Sequence, residues 1–191
     1  MRIVGGSFRG RTILAPPGRS VRPTSEKARQ AIFNILEHHD FDLDFSLESA
    51  RVIDLFAGSG ALGLEALSRG AAHALFVETD TEAAQLVQKN IDALGLTSNA
   101  RVLRRNATRL TSRSATDGSP FDLAFLDAPY GSRLTELALN SLREGGWLAP
   151  DALLVVESAK REQFAAPAGF KLLDERTYGA ACIRLLRLAE F

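Results

Sequence analysis

Val52-Ile53-Asp54-Leu55-Phe56-Ala57-Gly58-Ser59-Gly60-Ala61-Leu62-Gly63 decides the fold. A short apolar run leads into a glycine-rich turn, and a helical pattern starts inside that turn. Gly58, Gly60 and Gly63 follow the spacing G-x-G-x-x-G. Glycines so spaced let a backbone turn tightly and approach a ligand closely. The motif is shared with dinucleotide-binding sites and does not identify the ligand alone.

The pattern repeats toward the C-terminus. Strand-like runs at 52–56, 74–78, 100–104, 123–127 and 153–157 alternate with helical patterns at 60–69, 81–93, 132–143 and 160–164. Continuous apolar strands joined by helices predict a parallel sheet covered on both faces. The end differs. Residues 170–177 and 181–188 are strand-like and joined by Tyr178-Gly179-Ala180, which predicts a closing hairpin with an antiparallel last strand. The expected fold is α/β and Rossmann-like, with a seven-stranded, mostly parallel sheet. That is the arrangement of class I methyltransferases dependent on S-adenosyl-L-methionine (SAM).

Upstream, residues 2–4 and 11–14 are β-like around Gly5-Gly6-Ser7-Phe8-Arg9-Gly10, which predicts a hairpin with arginine in its loop. Ala15-Pro16-Pro17-Gly18 breaks regular structure. Thr24 or Ser25 can cap a helix running to about residue 39, with Ala28, Ala31, Ile32, Ile35 and Leu36 on its apolar face. The expected organisation is an RNA-binding extension over 1–49 and a methyltransferase domain over 50–191.

A chain of 191 residues can bury a core without disulfides, and the single cysteine, Cys182, permits no internal one. No run approaches a membrane span and no leader precedes the first hairpin, so a cytoplasmic protein is expected. The formal net charge is zero, yet residues 1–39 hold seven basic residues against two acidic ones. A basic arm on an acidic remainder suits a polyanion such as RNA. Cys182 in a late apolar strand reads as a core residue. His38, His39 and His73 lack metal-ligand spacing with it, and no metal is expected.

Two details favour SAM over a dinucleotide. Asp54 stands on the strand before the loop, where its carboxylate can meet a cationic amino-acid group or hold backbone N–H groups. The loop also follows some 50 residues of chain rather than opening it. Phe56, Ala57, Gly58, Ser59 and Gly60 would line the ligand. Glu78, at the end of the second strand, can accept hydrogen bonds from ribose hydroxyls. Asp80 reads as the cap of the next helix. Asn106, beside Ala107, could reach adenine or could be an ordinary turn asparagine.

Asp127-Ala128-Pro129-Tyr130 ends the fourth strand. The Asp127 carboxylate and the Ala128 carbonyl are acceptors that can grip the two hydrogens of an exocyclic amine. Pro129 stiffens the turn, and Tyr130 offers a stacking face worth roughly 1–3 kcal/mol per base. These four are the candidate catalytic residues. Arg9, Arg11, Arg22 and Thr24 are the candidate RNA contacts, and removal of residues 1–20 is expected to leave a folded core.

Over nearly its whole length the chain resembles the RsmD family of bacterial small-subunit ribosomal RNA (guanine-N2)-methyltransferases. The resemblance rests on Arg2-Ile3-Val4-Gly5-Gly6, Arg9-Gly10-Arg11, Arg22-Pro23-Thr24, Ala31-Ile32-Phe33-Asn34-Ile35-Leu36, the Asp54 to Gly60 loop, Leu64-Glu65-Ala66-Leu67, Asn90, Asn106-Ala107, Asp127 to Tyr130 and Arg176-Thr177-Tyr178-Gly179. It implies one methyl transfer from SAM to guanine N2 in ribosomal RNA, within the small subunit or an assembly intermediate. A monomer is expected. The departure is Ala128, where the family pattern has proline. Alanine keeps the carbonyl acceptor and loses the fixed φ. Two alternatives share these features. One is amino-methylation of DNA adenine or protein glutamine; the other is a noncatalytic RNA-binding relative.

Overall fold

The apolar run around Ile53 becomes the heart of a sheet whose two faces are both covered. The computed structural model describes residues 1–16, 26–38, 45–129 and 133–189. Helix α1 (Glu26–His38) precedes the first strand. Then follow β1 (Arg51–Leu55), α2 (Ala61–Ser68), β2 (His73–Val77), α3 (Thr81–Leu94) and β3 (Ala100–Leu103). After two short 3₁₀ turns come β4 (Phe121–Asp127), α4 (Leu134–Glu144), β5 (Leu148–Ala159), β6 (Phe170–Tyr178) and β7 (Ala181–Leu188).

The strands lie in the order β3-β2-β1-β4-β5-β7-β6. The first five are mutually parallel, and β7 runs antiparallel to both β5 and β6. The seven-stranded expectation therefore holds. Alternation sorts each strand's side chains to opposite faces. Val52, Phe76, Phe125 and Val155 pack on one face with α1, α2 and α3. Ile53, Val77, Leu126 and Val156 pack on the other with α4. Each fully buried Phe or Leu on these faces stabilises the fold by roughly 1.5–3 kcal/mol.

Local signals set the boundaries. Asp80 caps α3 by accepting the Ala83 N–H at 2.9 Å, and Gly95 closes the helix at φ 71°. Cys182 is buried at 2% exposure, as its strand context suggested. The helix expected at 160–164 is absent. There β5 continues to Ala159, and the Lys160 N–H donates to the Ala180 carbonyl at 2.9 Å. Pairing with β7 takes the backbone groups that a helix would need. No described helix is long and apolar enough to cross a membrane.

The N-terminal hairpin is looser and better anchored than its sequence pattern implied. Its arms meet in one antiparallel bridge, Arg2 with Thr12, supported by Ile3 N–H to Arg11 O (3.0 Å) and Ile13 N–H to Met1 O (2.9 Å). Ile3 and Ile13 are each 2% exposed and join the core cluster of β1, α1 and α2. Thr24 and Ser25, the expected caps of α1, lie outside the described residues.

The anchor is a buried carboxylate. Glu65 of α2 is fully buried and accepts the backbone N–H groups of Val4 (2.9 Å) and Gly5 (2.7 Å). Arg69 Nε donates to it at 2.8 Å, and Arg29 Nε of α1 lies 3.5 Å away. Arg29 in turn donates to the Arg2 carbonyl. One turn on, Ser68 accepts the Phe8 N–H at 2.9 Å and donates to the Gly5 carbonyl at 2.6 Å. A Cβ on Gly6 would sit 1.8 Å from the Ser68 carbonyl oxygen, so only glycine permits this approach. The arm is thus bonded into the sheet domain, and truncation to residue 20 removes core rather than decoration.

Glu65→Ala strands buried Arg29 and two backbone donors, and is expected to cost about 3–5 kcal/mol of stability. Urea unfolding followed by circular dichroism measures this. A loss below about 1 kcal/mol would show that the carboxylate holds nothing together.

Candidate active site

The direction of chain travel reverses between β1 and β4, which lie side by side in the sheet. In open α/β sheets the crevice for ligands opens at the carboxyl ends of the strands flanking that point. The glycine loop leaves β1 there. Its three glycines have different tasks. A Cβ on Gly63 would meet the Phe76 ring at 2.4 Å, and one on Gly60 would meet Phe76 and Val87 at 3.2 Å. Both serve close packing of α2 on the sheet. A Cβ on Gly58 would meet only the Phe56 carbonyl oxygen, at 3.9 Å, so this glycine is the one that leaves its backbone approachable.

Phe56 itself sits at φ 58°, a conformation that costs a bulky residue about 1–2 kcal/mol. Such strain concentrates at ligand-binding turns. The loop is fixed by Ala57 N–H to Val77 O at 3.2 Å and by Gly60 N–H to Ala57 O at 2.7 Å.

Four carboxylates gather at these strand ends. Asp54 lies beside Phe76 and Phe125 in register, and Asp127 beside Glu157. Two-residue alternation from Phe76, Phe125 and Val155 puts Glu78, Asp127 and Glu157 on the sheet face that carries Asp54. Asp54 is buried and accepts the Gly63 N–H at 3.0 Å. Burial pushes its carboxyl up to about 7; the Gly63 hydrogen bond works against the shift and the Glu78 charge adds to it. Glu78 accepts the Gly58 N–H at 3.0 Å with one oxygen, and those of Thr79 (2.7 Å) and Asp80 (3.0 Å) with the other. It ties the loop after β1 to the end of β2.

Asp127 is half-buried at the end of β4, Ala128 is buried and Pro129 is exposed. Tyr130 lies outside the described residues, as do Arg22 and Thr24. The Asn106 side-chain oxygen Oδ1 accepts the Thr108 N–H at 2.9 Å and caps the 3₁₀ turn Ala107–Arg109. Ala107 is buried beneath it against α4. The Ser59 backbone carbonyl accepts from the Asn90 amide Nδ2 at 2.9 Å, which ties the loop to α3. Arg9 and Arg11 are exposed, away from the carboxylates, and Arg11 donates to the Ala93 carbonyl of α3 at 3.1 Å.

Two groups carry more than their sequence context suggested. Glu157 is a buried acid reached only through strand register. Asn90 is 1% exposed; besides Ser59 it bonds both the N–H and the carbonyl of Leu14, at 2.8 and 3.1 Å. Its signals in the sequence were its place in the family resemblance and a polar residue on the apolar stripe of α3. Cavities of about 430 and 420 Å³ lie outside the carboxylate cluster. One opens between the Ala107–Arg109 turn and α4; the other lies around Ala50 and Asp122 at the amino ends of the strands. Topology and clustered charge, not volume, locate the site.

Similarity to known proteins agrees with this arrangement. The model of the family described as Conserved hypothetical protein 95 matches residues 1–187. Ribosomal RNA small subunit methyltransferase D of Escherichia coli K12 is 40% identical over 186 residues, covering 97% of this chain and 88% of that protein. The protein of that name in Haemophilus influenzae is 35% identical over 187 residues, covering 97% and 92%. The solved structure of yhhF from Escherichia coli superposes with a TM-score of 0.80 at 35% identity, over 98% of this chain and 97% of that one. This chain belongs to the RsmD family, the family of ribosomal RNA small subunit methyltransferase D.

Proposed function

We propose that this protein transfers a methyl group from SAM to the exocyclic N2 of a guanine in small-subunit ribosomal RNA. The observation that carries the proposal is the cluster of strand-end carboxylates around an approachable glycine loop, with the Asp127–Ala128 acceptor pair at its edge. SAM is cationic at sulfur and at its amino group, so an acidic crevice suits it. Asp54 and the Gly58 backbone would hold its amino-acid end, Glu78 its ribose, and Asn106 with Ala107 its adenine. When bound, the cofactor supplies a methyl group activated by the sulfonium.

The chain's own contribution is positioning. Guanine N2 is a weak nucleophile because its lone pair is delocalised into the ring. The Asp127 carboxylate and Ala128 carbonyl accept its two N–H groups and bend the amine toward a tetrahedral geometry, so that the lone pair leaves conjugation with the ring and faces the methyl carbon. Both acceptors also stabilise the positive charge that grows on nitrogen. Asp127 is the acceptor for the departing proton. Ala128 offers the same carbonyl as the family proline.

The direct test is transfer of labelled methyl from SAM to small ribosomal subunits, naked ribosomal RNA, DNA and protein, with the product nucleoside identified by mass spectrometry. N2-methylguanosine in RNA is expected. Label in adenine or glutamine would move the chain to a different amino-methyltransferase class, and no label anywhere would leave an RNA-binding relative.

Glu78→Ala and Gly58→Ala are each expected to weaken S-adenosylhomocysteine binding about tenfold or more in calorimetry. Unchanged affinity in both would remove the loop from the site. Asp127→Ala is expected to lower turnover by about 10²–10⁴ while S-adenosylhomocysteine affinity stays near wild type. Ala128→Pro is expected to leave turnover equal or higher. Full activity in Asp127→Ala would sink the amine grip.

Asp54 adds a pH signature. Its raised pKa means that the free protein holds a proton there below about pH 7. A ligand ammonium favours the ionised form, so affinity should rise between about pH 5.5 and 7. Asp54→Asn should flatten that rise, and 5′-methylthioadenosine, which lacks the ammonium, should not show it. A rise that survives Asp54→Asn would place the titrating group elsewhere.

A further inference from the structure

Residues 101–113 hold five arginines, Arg101, Arg104, Arg105, Arg109 and Arg113, and no acidic residue. The outer two serve the fold. Arg101 pairs with Asp117 at 3.2 Å, and Arg113 donates to the Gly146 carbonyl at 3.0 Å and to that of Gly118. The middle three have no such task. Among the described residues, Arg104 reaches only the Thr81 hydroxyl (3.0 Å) and Arg105 only the Thr111 hydroxyl (2.6 Å). All three are exposed, and among the described residues none pairs with a carboxylate.

Three like charges within six residues repel one another, and no ion pair among the described residues offsets them. A field of one sign marks a surface kept for a charged partner. Its position says which partner. Thr81, the contact of Arg104, is the first residue of α3, just beyond Glu78. Arg109 closes the turn that begins with Asn106 and buried Ala107. The patch therefore borders the carboxylate crevice on the β3 edge of the sheet. Planar guanidiniums with free donors match phosphate oxygens in pairs.

We propose that Arg104, Arg105 and Arg109 form a phosphate-binding surface that holds the RNA backbone along the β3 edge of the crevice. This rests on the RNA methyltransferase reading above. The surface is additional to the N-terminal arm, whose Arg11 contacts the far end of α3. RNA bound to both would run along α3, from its far end to the border of the crevice.

The test is a salt series of fluorescence anisotropy with labelled, deproteinised small-subunit RNA. Four proteins are compared: wild type, Arg105→Glu/Arg109→Glu, Arg105→Gln/Arg109→Gln, and Lys171→Glu as a charge change on the distant strand β6. The glutamate pair should flatten the log–log salt slope by about two, and lower affinity on the order of a hundredfold near 0.1 M salt. The glutamine pair should show a similar change in slope. S-adenosylhomocysteine affinity and the urea midpoint should match wild type, which excludes misfolding. A glutamate pair that binds like wild type or like Lys171→Glu overturns the surface, while methyl transfer to RNA by wild type keeps the underlying reading. Binding lost only to an acidic protein, with RNA unaffected, would also overturn it. Wild type that neither binds nor methylates RNA fails both.

Discussion

A carboxylate with no access to water, that of Glu65, holds the N-terminal arm and α1 to the sheet domain. Burying an acid is costly unless every lone pair has a partner. Here the partners come from three places: the backbone of Val4 and Gly5, Arg29 of α1, and Arg69 one turn further along α2. Each needs Glu65 as much as Glu65 needs it. Arg69 extends the network to Glu37 at 2.9 Å and stacks over Phe33. The arm, α1 and α2 therefore behave as one packed unit. Asn90 adds a second clamp, joining Leu14 to the loop carbonyl of Ser59. Through it the arm touches the loop beside the candidate cofactor site, so disturbance of one end reaches the other.

Charge is arranged in two zones that the overall balance conceals. The strand ends carry buried or half-buried acids, Asp54, Glu78, Asp127 and Glu157. The outer surface carries exposed arginines, in the arm at the far end of α3 and between residues 101 and 109 along the border of the crevice. An acidic interior favours a cationic small ligand, and a basic outer surface favours a phosphate backbone. Keeping the zones on different surfaces prevents each from cancelling the other. Equal totals of acid and base are the arithmetic result of that separation and say nothing about partners.

The strands and the glycine loop were legible because period and composition are local properties. Short, mostly apolar runs such as 52–56, bounded by turn residues, read as strands buried on both faces, and G-x-G-x-x-G marks where the chain turns. Register was not legible. The sequence alone could not place Glu157 opposite Asp127, because that depends on pairing between strands far apart in the chain. Glu65 and Asn90 belong to the family resemblance, but their role shows only when the arm is seen to lie on them. Dividing the charge at residue 39 hid the arginine run in the other half of the molecule. The turn at 160–164 mimics a helix locally, and pairing with β7 overrides that preference. Gly58 and Gly60 share a positive φ, and only their surroundings tell which of the two leaves its backbone approachable.

The central claim is that the crevice at the ends of β1, β2 and β4 is the cofactor site. A crystal structure with S-adenosylhomocysteine tests it most directly. The account predicts the ligand against the Gly58 backbone, with Glu78 on its ribose hydroxyls and the homocysteine amino group toward Asp54. A ligand seated instead between the Ala107–Arg109 turn and α4, with the strand-end carboxylates untouched, would contradict it.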